Sequence, residues 1–344
     1  MSRYICFVIL SFLFIQEAWT QDPHFSFFSN NPLAVNPALV GQINHHNSRI
    51  QMSHRRQWST VLEDGAFETA FASYEKRFCL PWRNNFVGIG ASFLGDERGD
   101  FPMQRADVFG AASLIVLLSQ NSQSSLYLSA GIEGGWIFHR IGADNLTFDD
   151  QFDDPNLPPE VSALGSSNVP DLGIGVALSF AKEPRTKGVS GQLGLALKHL
   201  TKPPLSFYQL ADELTPVLEQ HFVAHGALSV QLSRNWSIPM QAIYRVQQPH
   251  QQLLMSLGVQ VATSDQWQFQ FAGGIRQSRG INGFKQDAIV PRLSVFHRKI
   301  QFTASYDVNT SPLRQASAAQ GGLEVQLAYN FGAGKCEMVF CPNM

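Results

Sequence analysis

Residues 265–274 read DQWQFQFAGG, and residues 322–331 read GLEVQLAYNF. In the first stretch Trp267, Phe269 and Phe271 fall on one side of an extended chain, and the glutamines between them fall on the other. Strict alternation of apolar and polar residues is typical of a β-strand with one apolar face. Both stretches therefore predict strands, and the same pattern recurs along most of the chain.

The polar faces of these predicted strands carry mainly Gln, Ser, Gly, Ala and Thr. A water-soluble β-sandwich also alternates, but its outer face usually carries Lys and Glu, so a nearly uncharged polar face fits a barrel lumen better. The predicted fold class is all-β: a transmembrane antiparallel outer-membrane β-barrel of about 14 strands. A β-sandwich stays open as the alternative fold. The predicted strands are 48–58, 65–76, 85–94, 105–118, 124–138, 169–182, 187–199, 219–233, 236–247, 252–262, 265–276, 286–297, 299–307 and 320–331.

The links between the predicted strands differ in length on the two sides of the sheet. Short turns alternate with longer loops, which is typical of outer-membrane barrels with periplasmic turns and extracellular loops. With an even number of strands, both termini are then predicted to lie in the periplasm. The short links are 119–123, 183–186, 234–235, 263–264 and Arg298; the long ones are 95–104, 139–168, 200–218, 277–285 and 308–319.

The first 20 residues, MSRYICFVILSFLFIQEAWT, have the order of a secretory signal peptide: a basic residue, an apolar run and small residues at the end. The apolar run is shorter than the ~20 residues that span a membrane as a helix. We therefore predict a signal peptide at 1–20, a periplasmic N-terminal leader at 21–42, the barrel at 43–331 and a periplasmic C-terminal tail at 332–344. A net charge of −2 gives no indication of nucleic-acid binding.

Cys336 and Cys341 lie five residues apart near the C-terminus, close enough to form a local disulfide in an oxidising compartment. Two thiols without a nearby His or third Cys are too few for a structural metal site. This pairing leaves Cys79 as a buried or free thiol. We predict no metal and no cofactor.

An acidic stretch in the longest predicted loop contains Asp149, Asp150, Phe152 and Asp153. Dense carboxylates can bind Ca²⁺, but the order of an EF-hand is missing, and a solvated external loop explains them as well. We expect these four residues to contribute to partner binding. The sequence contains no recognisable Ser/His/Asp set or paired catalytic carboxylates, so we predict that the chain is not an enzyme.

The stretch QDPHFSFFSNNPLAVNPALVG (21–41) has neither helical nor strand periodicity. It resembles the opening of the PorP/SprF family, which reads QDP.FS, then a proline, then NPA..G. The motif residues here are Gln21, Asp22, Pro23, Phe25, Asn36, Pro37 and Gly41. The resemblance continues in order through GIGASF (88–93), LSAGIEGGW (128–136), VPDLGIGVAL (169–178) and SYDVNTSPLRQAS (305–317). It therefore covers nearly the whole chain after residue 20.

The resemblance implies an outer-membrane barrel of the type IX secretion and gliding-motility system. Such a barrel would be needed to secrete or anchor a surface protein, such as a gliding adhesin, through that partner's C-terminal signal domain. Its partners would be this secreted protein, other components of the secretion machinery and outer-membrane lipid. A porin-like channel or uptake barrel is the alternative function. For the opening stretch we expect either a leader packed at the barrel mouth or a plug or docking segment.

Overall fold

The computed structural model describes residues 22–26, 31–43, 45–59, 61–62, 65–82, 84–99, 103–141, 166–182, 185–204, 217–280 and 283–332. It is a closed barrel of fourteen antiparallel strands in which each strand pairs with its sequence neighbours and β14 pairs with β1. The predicted fold class is confirmed. In the part of the chain that the structure describes, no helix is long and apolar enough to cross a membrane.

All fourteen strands lie at the positions that the alternation predicts, with shifts of a few residues at their ends. Their bounds are β1 (Ser48–Gln57), β2 (Phe67–Cys79), β3 (Phe86–Arg98), β4 (Met103–Gln120), β5 (Ser124–Ile141), β6 (Ser167–Lys182), β7 (Gly188–Lys198), β8 (His221–Gln231), β9 (Trp236–Gln247), β10 (His250–Ala262), β11 (Trp267–Gly280), β12 (Gly283–His297), β13 (Ile300–Asn309) and β14 (Gln320–Phe331).

The apolar face of the strands points outward and the polar face points into the barrel. In β14, Leu323 and Leu327 are 51% and 49% exposed, whereas Glu324 and Gln326 between them are buried. This is the reverse of a soluble domain, because the outward face of a membrane barrel meets lipid. The alternation therefore places apolar side chains against lipid and polar side chains in the lumen.

Aromatic side chains mark the strand ends on the outer face. Trp236 and Trp267 begin β9 and β11, and Trp136 lies near the opposite end of β5; all three are between 42% and 55% exposed. Trp and Tyr are enriched where a membrane meets water because their rings are apolar and carry one polar group. The two ends of the barrel therefore have the features of two membrane interfaces.

We call the rim where β1 begins and β14 ends the near rim, and the opposite one the far rim. The near-rim links are 80–85, 121–123, 183–187, 232–235, 263–266 and 298–299, and the far-rim links are 58–66, 99–102, 142–166, 199–220, 248–249, 281–282 and 310–319. The long loops predicted at 95–104 and 277–285 are mostly strand, because β3 and β11 continue to Arg98 and Gly280. The long far-rim links are therefore fewer than predicted.

Before the barrel, the chain forms one turn of α-helix, α1 (Pro32–Val35), and one turn of 3₁₀ helix at Pro37–Leu39. Both turns begin with proline, whose fixed φ suits the first helical position and whose missing N–H costs nothing there. Asn36 ends the first turn and caps the second, since its side chain accepts a hydrogen bond from the backbone N–H of Ala38 at 2.9 Å. These turns lie inside the barrel.

Candidate functional site: the segment inside the lumen

Residues 22–26 and 31–43, here called the lumenal segment, run inside the barrel from the far rim to the near rim. Asp22 contacts His199 and His221, which lie at the far-rim ends of β7 and β8. Gly41 contacts Glu75, close to the near-rim end of β2. We expected a periplasmic leader, with a plug as one hypothesis; the described part of the leader lies in the lumen. Which rim faces the periplasm stays a prediction.

The first anchor of the lumenal segment is Asp22. One carboxylate oxygen lies 2.5 Å from Nε2 of His199 and 2.9 Å from Nδ1 of His221. The other oxygen accepts a hydrogen bond from Nη1 of Arg105 at 2.8 Å. His199 is in turn held by Asp171, whose carboxylate lies 2.6 Å from Nδ1. The backbone N–H of Asp22 also donates to the side-chain oxygen of Gln247 at 2.8 Å, so four side chains from four strands or strand ends fix the start of the segment.

The charges in this cluster are coupled. Burial by itself would raise the pKa of the Asp22 carboxyl, but the positive charges of His199 and Arg105 outweigh burial and hold that pKa well below its usual range. Burial would likewise lower the pKa of His199, yet the Asp22 charge and the hydrogen bonds to Asp171 and Asp22 raise it to about 9. At neutral pH, Asp22 is therefore a carboxylate facing an imidazolium.

Asp22, His199 and His221 also form a set whose ligand atoms all lie within 4.8 Å of one another, as a metal site would need. Here, however, the Asp22 carboxylate is already satisfied by the two imidazoles, and the guanidinium of Arg105 places a fixed positive charge beside it. The positive charge of Arg105 would repel a metal cation at the same carboxylate. We therefore interpret the cluster as a hydrogen-bonded ionic latch.

The second anchor is Ser26. Its backbone N–H donates to Glu324 at 2.8 Å, and its hydroxyl donates to Asp307 at 2.8 Å. Arg55 lies between these two carboxylates, 2.6 Å from Oδ2 of Asp307 and 3.1 Å from Oε2 of Glu324, and it also donates to the Ser26 hydroxyl. Arg276 binds the same oxygen of Asp307 at 2.6 Å. All five residues are buried or nearly so, so the segment completes a charged network in the lumen wall.

The third anchor is Asn36. Its side-chain amide donates to the backbone carbonyls of Val176 and Leu195, each at 3.1 Å, and lies 3.1 Å from Nε2 of His225. The Asn36 side chain thereby links the segment to the backbones of β6 and β7. Because the same side chain also caps the 3₁₀ turn, only an amide, with donor and acceptor together, makes all these contacts.

The near-rim end of the segment is fixed at Gly41. Its N–H donates to Glu75 at 2.7 Å, while Arg77 donates to the carbonyls of Ile43 and His46 at 2.6 and 3.1 Å. Gly41 has a φ of +79°, and a Cβ there would lie 2.7 Å from the Cα of Gly88. Glycine is the residue that adopts this conformation without strain and leaves this space. The glycine at position 41 of the opening motif thus has a steric reason.

Glycines in the wall allow the segment to lie directly on the strands. A Cβ at Gly131 of β5 would come 2.4 Å from the carbonyl carbon of Pro37, and one at Gly175 of β6 would come 2.0 Å from the side-chain oxygen of Asn36. Backbone can approach backbone this closely only where a side chain is absent. The GxG at 173–175, which is too short for a nucleotide loop, therefore lies in the wall against the lumenal segment.

The lumen wall is charged, and the prediction of a nearly uncharged lining was wrong. No strand contributes more than two of these charged residues, and β7, β8 and β10 contribute none, so no stretch of sequence is conspicuous, but closure of the barrel brings them all inside. Most of them pair with an oppositely charged side chain or bind the lumenal segment, as buried charges require. The buried charged residues of the strands are Arg55, Glu75, Arg77, Asp96, Arg105, Asp107, Glu133, Asp171, Arg245, Arg276, Arg292, Asp307 and Glu324.

Of the predicted motif residues, Asp22, Asn36, Pro37 and Gly41 have the roles given above. Phe25 is buried and packs edge-on against Phe71, with ring centroids 6.1 Å apart. Pro23 lies between the first two anchors and has no backbone donor to satisfy. Gln21 lies outside the described residues. The wall residues that bind the segment, above all Arg55, Arg105, His199 and Glu324, were not predicted; their inward position in the alternation was the available signal.

The other predicted sites lie outside the described residues: Asp149, Asp150, Phe152 and Asp153 in the acidic loop, and the pair Cys336 and Cys341. The prediction that Cys79 is a buried or free thiol was wrong, because Cys79 is disulfide-bonded and lies exposed at the near-rim end of β2. At a rim, a strand end is accessible to other parts of the chain. The other cysteines of the chain are Cys6, Cys336 and Cys341, so a Cys336–Cys341 bond, which stays a prediction, would require Cys79 to pair with Cys6 of the predicted signal peptide.

Comparison with known proteins gives one family match. The model of the type IX secretion system membrane protein PorP/SprF matches residues 18–329. No curated protein sequence matches the chain. Similar solved structures include the Pseudomonas putida toluene transporter TodX, at 10% identity over 91% of this chain and 98% of that one with a TM-score of 0.45. A Pseudomonas aeruginosa FadL homologue matches at 12% identity over 89% and 96%, with a TM-score of 0.46. Identities this low carry no inference about what the chain binds or transports.

Proposed function

The chain belongs to the PorP/SprF family of type IX secretion system membrane proteins, and on this basis we propose that it is a non-enzymatic outer-membrane barrel needed to secrete a partner protein or to anchor it at the cell surface. The partner is a secreted protein with a type IX C-terminal signal domain, such as a gliding adhesin. Other components of the secretion machinery contact the barrel as well.

The observation that carries this proposal is the occupied lumen. The lumenal segment is held at both rims and in the middle by Asp22, Ser26, Asn36 and Gly41. A barrel whose interior is filled by its own chain has its rims left for interaction with other proteins. We therefore place the secreted partner on the far-rim links, including the acidic residues Asp149, Asp150, Phe152 and Asp153.

The test is deletion of the barrel gene in cells that keep the partner gene, followed by quantification of the partner at the surface, in the medium and in the periplasm. We expect the surface fraction to disappear and to return with the full-length barrel. Replacement of Asp149, Asp150 and Asp153 by Asn tests the far-rim site in the same strain. Normal surface display without the barrel would refute the proposed function; normal display with the Asn variant would refute only the site.

A porin-like channel is the alternative, and the charged lumen wall is the observation that favours it, since charged constrictions are typical of channels. Most of these charges are nevertheless engaged by oppositely charged side chains or by the lumenal segment. Conductance in planar bilayers distinguishes the two functions. We expect the full-length chain to conduct no ions and a chain without residues 23–36 to conduct them. Steady conductance by the full-length chain would favour the channel.

A further inference from the structure

The near rim contains a second feature that the secretion role at the far rim does not use. A cavity of about 450 Å³ opens there, within the roughly 300–1,000 Å³ of ligand sites in proteins. Leu39 and Gln42 of the lumenal segment line its inner end. A ligand can therefore enter from outside but meets the anchored segment instead of a passage through the barrel.

The charged side chains of the cavity are almost all positive. Its lining includes five cationic side chains and one carboxylate, that of Asp265; the cationic ones are Arg49, Lys182, Arg185, Arg234 and Arg298. Three of the arginines come from different strand turns, Arg185 from the β6–β7 link, Arg234 from the β8–β9 link and Arg298 from the β12–β13 link. This arrangement cannot be recognised in the sequence, because the three positions are more than forty residues apart from one another.

Local pairing leaves most of this charge uncompensated. Arg49 binds Glu75 at 2.5 Å and is neutralised. Arg185 pairs with Asp265, while Arg234 stands 3.8 Å from the same carboxylate with 76% of its side chain exposed. Arg298 donates to the neutral amide of Gln266 at 3.0 and 3.2 Å. One carboxylate thus serves two arginines, and the cavity keeps a net positive charge.

Apart from His45 and His46, the remaining polar lining consists of amides and hydroxyls. It includes Gln231, Gln260 and Gln268 with Ser190 and Ser237. Amides both donate and accept, as the backbone of an extended peptide requires, and the planar guanidinium of arginine matches a carboxylate. A fully ionised inorganic anion only accepts hydrogen bonds and would leave the amide oxygens of the lining unused, whereas the backbone of an acidic peptide also donates to them.

We propose that the near-rim cavity is a binding site for an acidic polypeptide segment of a partner protein. The segment inserts as far as Leu39 and Gln42, and its carboxylates meet Arg185, Arg234 and Arg298 in the turns of the rim. This site is distinct from the far-rim site proposed for the secreted protein. If the near-rim cavity does not bind acidic peptides, the proposed secretion function is unaffected. If the secretion function is refuted, the near-rim cavity can still be a binding site.

The experiment uses the full-length barrel in detergent micelles and fluorescein-labelled hexaglutamate, with hexaglutamine and hexalysine as matched peptides. We expect anisotropy to report binding of hexaglutamate alone, weakened by added salt because the contacts are between exposed charges. The triple variant Arg185→Gln, Arg234→Gln, Arg298→Gln should weaken binding about tenfold, since each partly exposed ion pair contributes modestly. Binding of hexaglutamine as tight as that of hexaglutamate would overturn the proposal.

Arg279→Gln is the matched control, because Arg279 is exposed at the far-rim end of β11 and contacts Gln251 at 3.1 Å. It should leave the affinity unchanged. If the triple variant does not fold, Arg234→Gln alone removes a side chain that is 76% exposed and is expected to weaken binding measurably. Equal affinity of the variant and the parent would refute the site. Absence of hexaglutamate binding, together with binding of phosphatidylglycerol vesicles that the triple variant loses, would identify an anionic lipid instead and overturn the proposal.

Discussion

Substitution of Arg55 is expected to lower the free energy of unfolding of the barrel. Arg55 is 1% exposed and lies between Asp307 and Glu324 of neighbouring strands, with the Ser26 hydroxyl as a third partner. Its sequence neighbour Arg56 points outward and pairs with Glu68 at 3.1 Å, with both side chains nearly half exposed. The two arginines thus form ion pairs on opposite faces of the same strand, which makes them a matched comparison.

The expected cost of Arg55→Met follows from what it leaves behind. Asp307 keeps Arg276 at 2.6 Å, but Glu324 loses its guanidinium partner and keeps the backbone N–H of Ser26 at 2.8 Å. Removing one partner of a buried ion pair costs about 3–5 kcal/mol because the other charge stays buried without compensation. For Arg56→Met, an exposed pair, we expect about 0–1 kcal/mol.

The free energy of unfolding is measured by urea titration of the barrel in detergent micelles, followed by tryptophan fluorescence and by heat-modifiable gel mobility. The double variant Arg55→Met, Glu324→Gln tests the reason as well as the size of the effect. It removes the uncompensated carboxylate, so it should be more stable than Arg55→Met alone. A loss with Arg55→Met no larger than with Arg56→Met, or a double variant less stable than the single one, would refute the reasoning.

Three further predictions concern the lumenal segment, monitored by chymotrypsin cleavage after Phe25. Asp22→Asn should raise the cleavage rate about tenfold, because hydrogen bonds to charged groups contribute about 1.5–3 kcal/mol; an unchanged rate would exclude the latch. The raised pKa of His199 stabilises the latch below that pKa, and this contribution is lost as pH rises through about 9. Cleavage should therefore increase above pH 9 after correction with a free peptide substrate, whereas a flat profile would contradict this. Gly131→Val should displace the segment and leave the barrel folded, since its Cβ would collide with Pro37; Gly273→Val, with no atom within 4 Å, is the control, and equal cleavage in both would refute the close approach.

The positions of the strands could be predicted because each strand carries its own signal. In β11 and β14 the apolar side chains face lipid and the polar ones face the lumen. The alternation can therefore be recognised within about ten consecutive residues. Strand ends were less predictable. β3 and β11 extend past the predicted boundaries because pairing with β4 and β12 continues where the alternation weakens.

The contacts of the lumenal segment could be predicted from the sequence only in part. Asp22, Asn36 and Gly41 were noticed through a family resemblance, but their partners are spread over the whole chain: Asp22 binds residues 83 to 225 positions away. Such pairs have no common spacing that a sequence pattern can reveal. They become recognisable only when the barrel has closed around the segment.

The sequence by itself therefore determined the number of strands, their approximate positions, the face that meets lipid and the family. These are local properties, set by a period of two and by short motifs. The tertiary structure alone decided that the opening segment fills the lumen, that scattered Arg, Asp and Glu residues form paired networks around it, and that three turn arginines surround one cavity. The physical reason is closure: a closed sheet turns one face of every strand toward a single small volume, where charges distant in sequence must find partners.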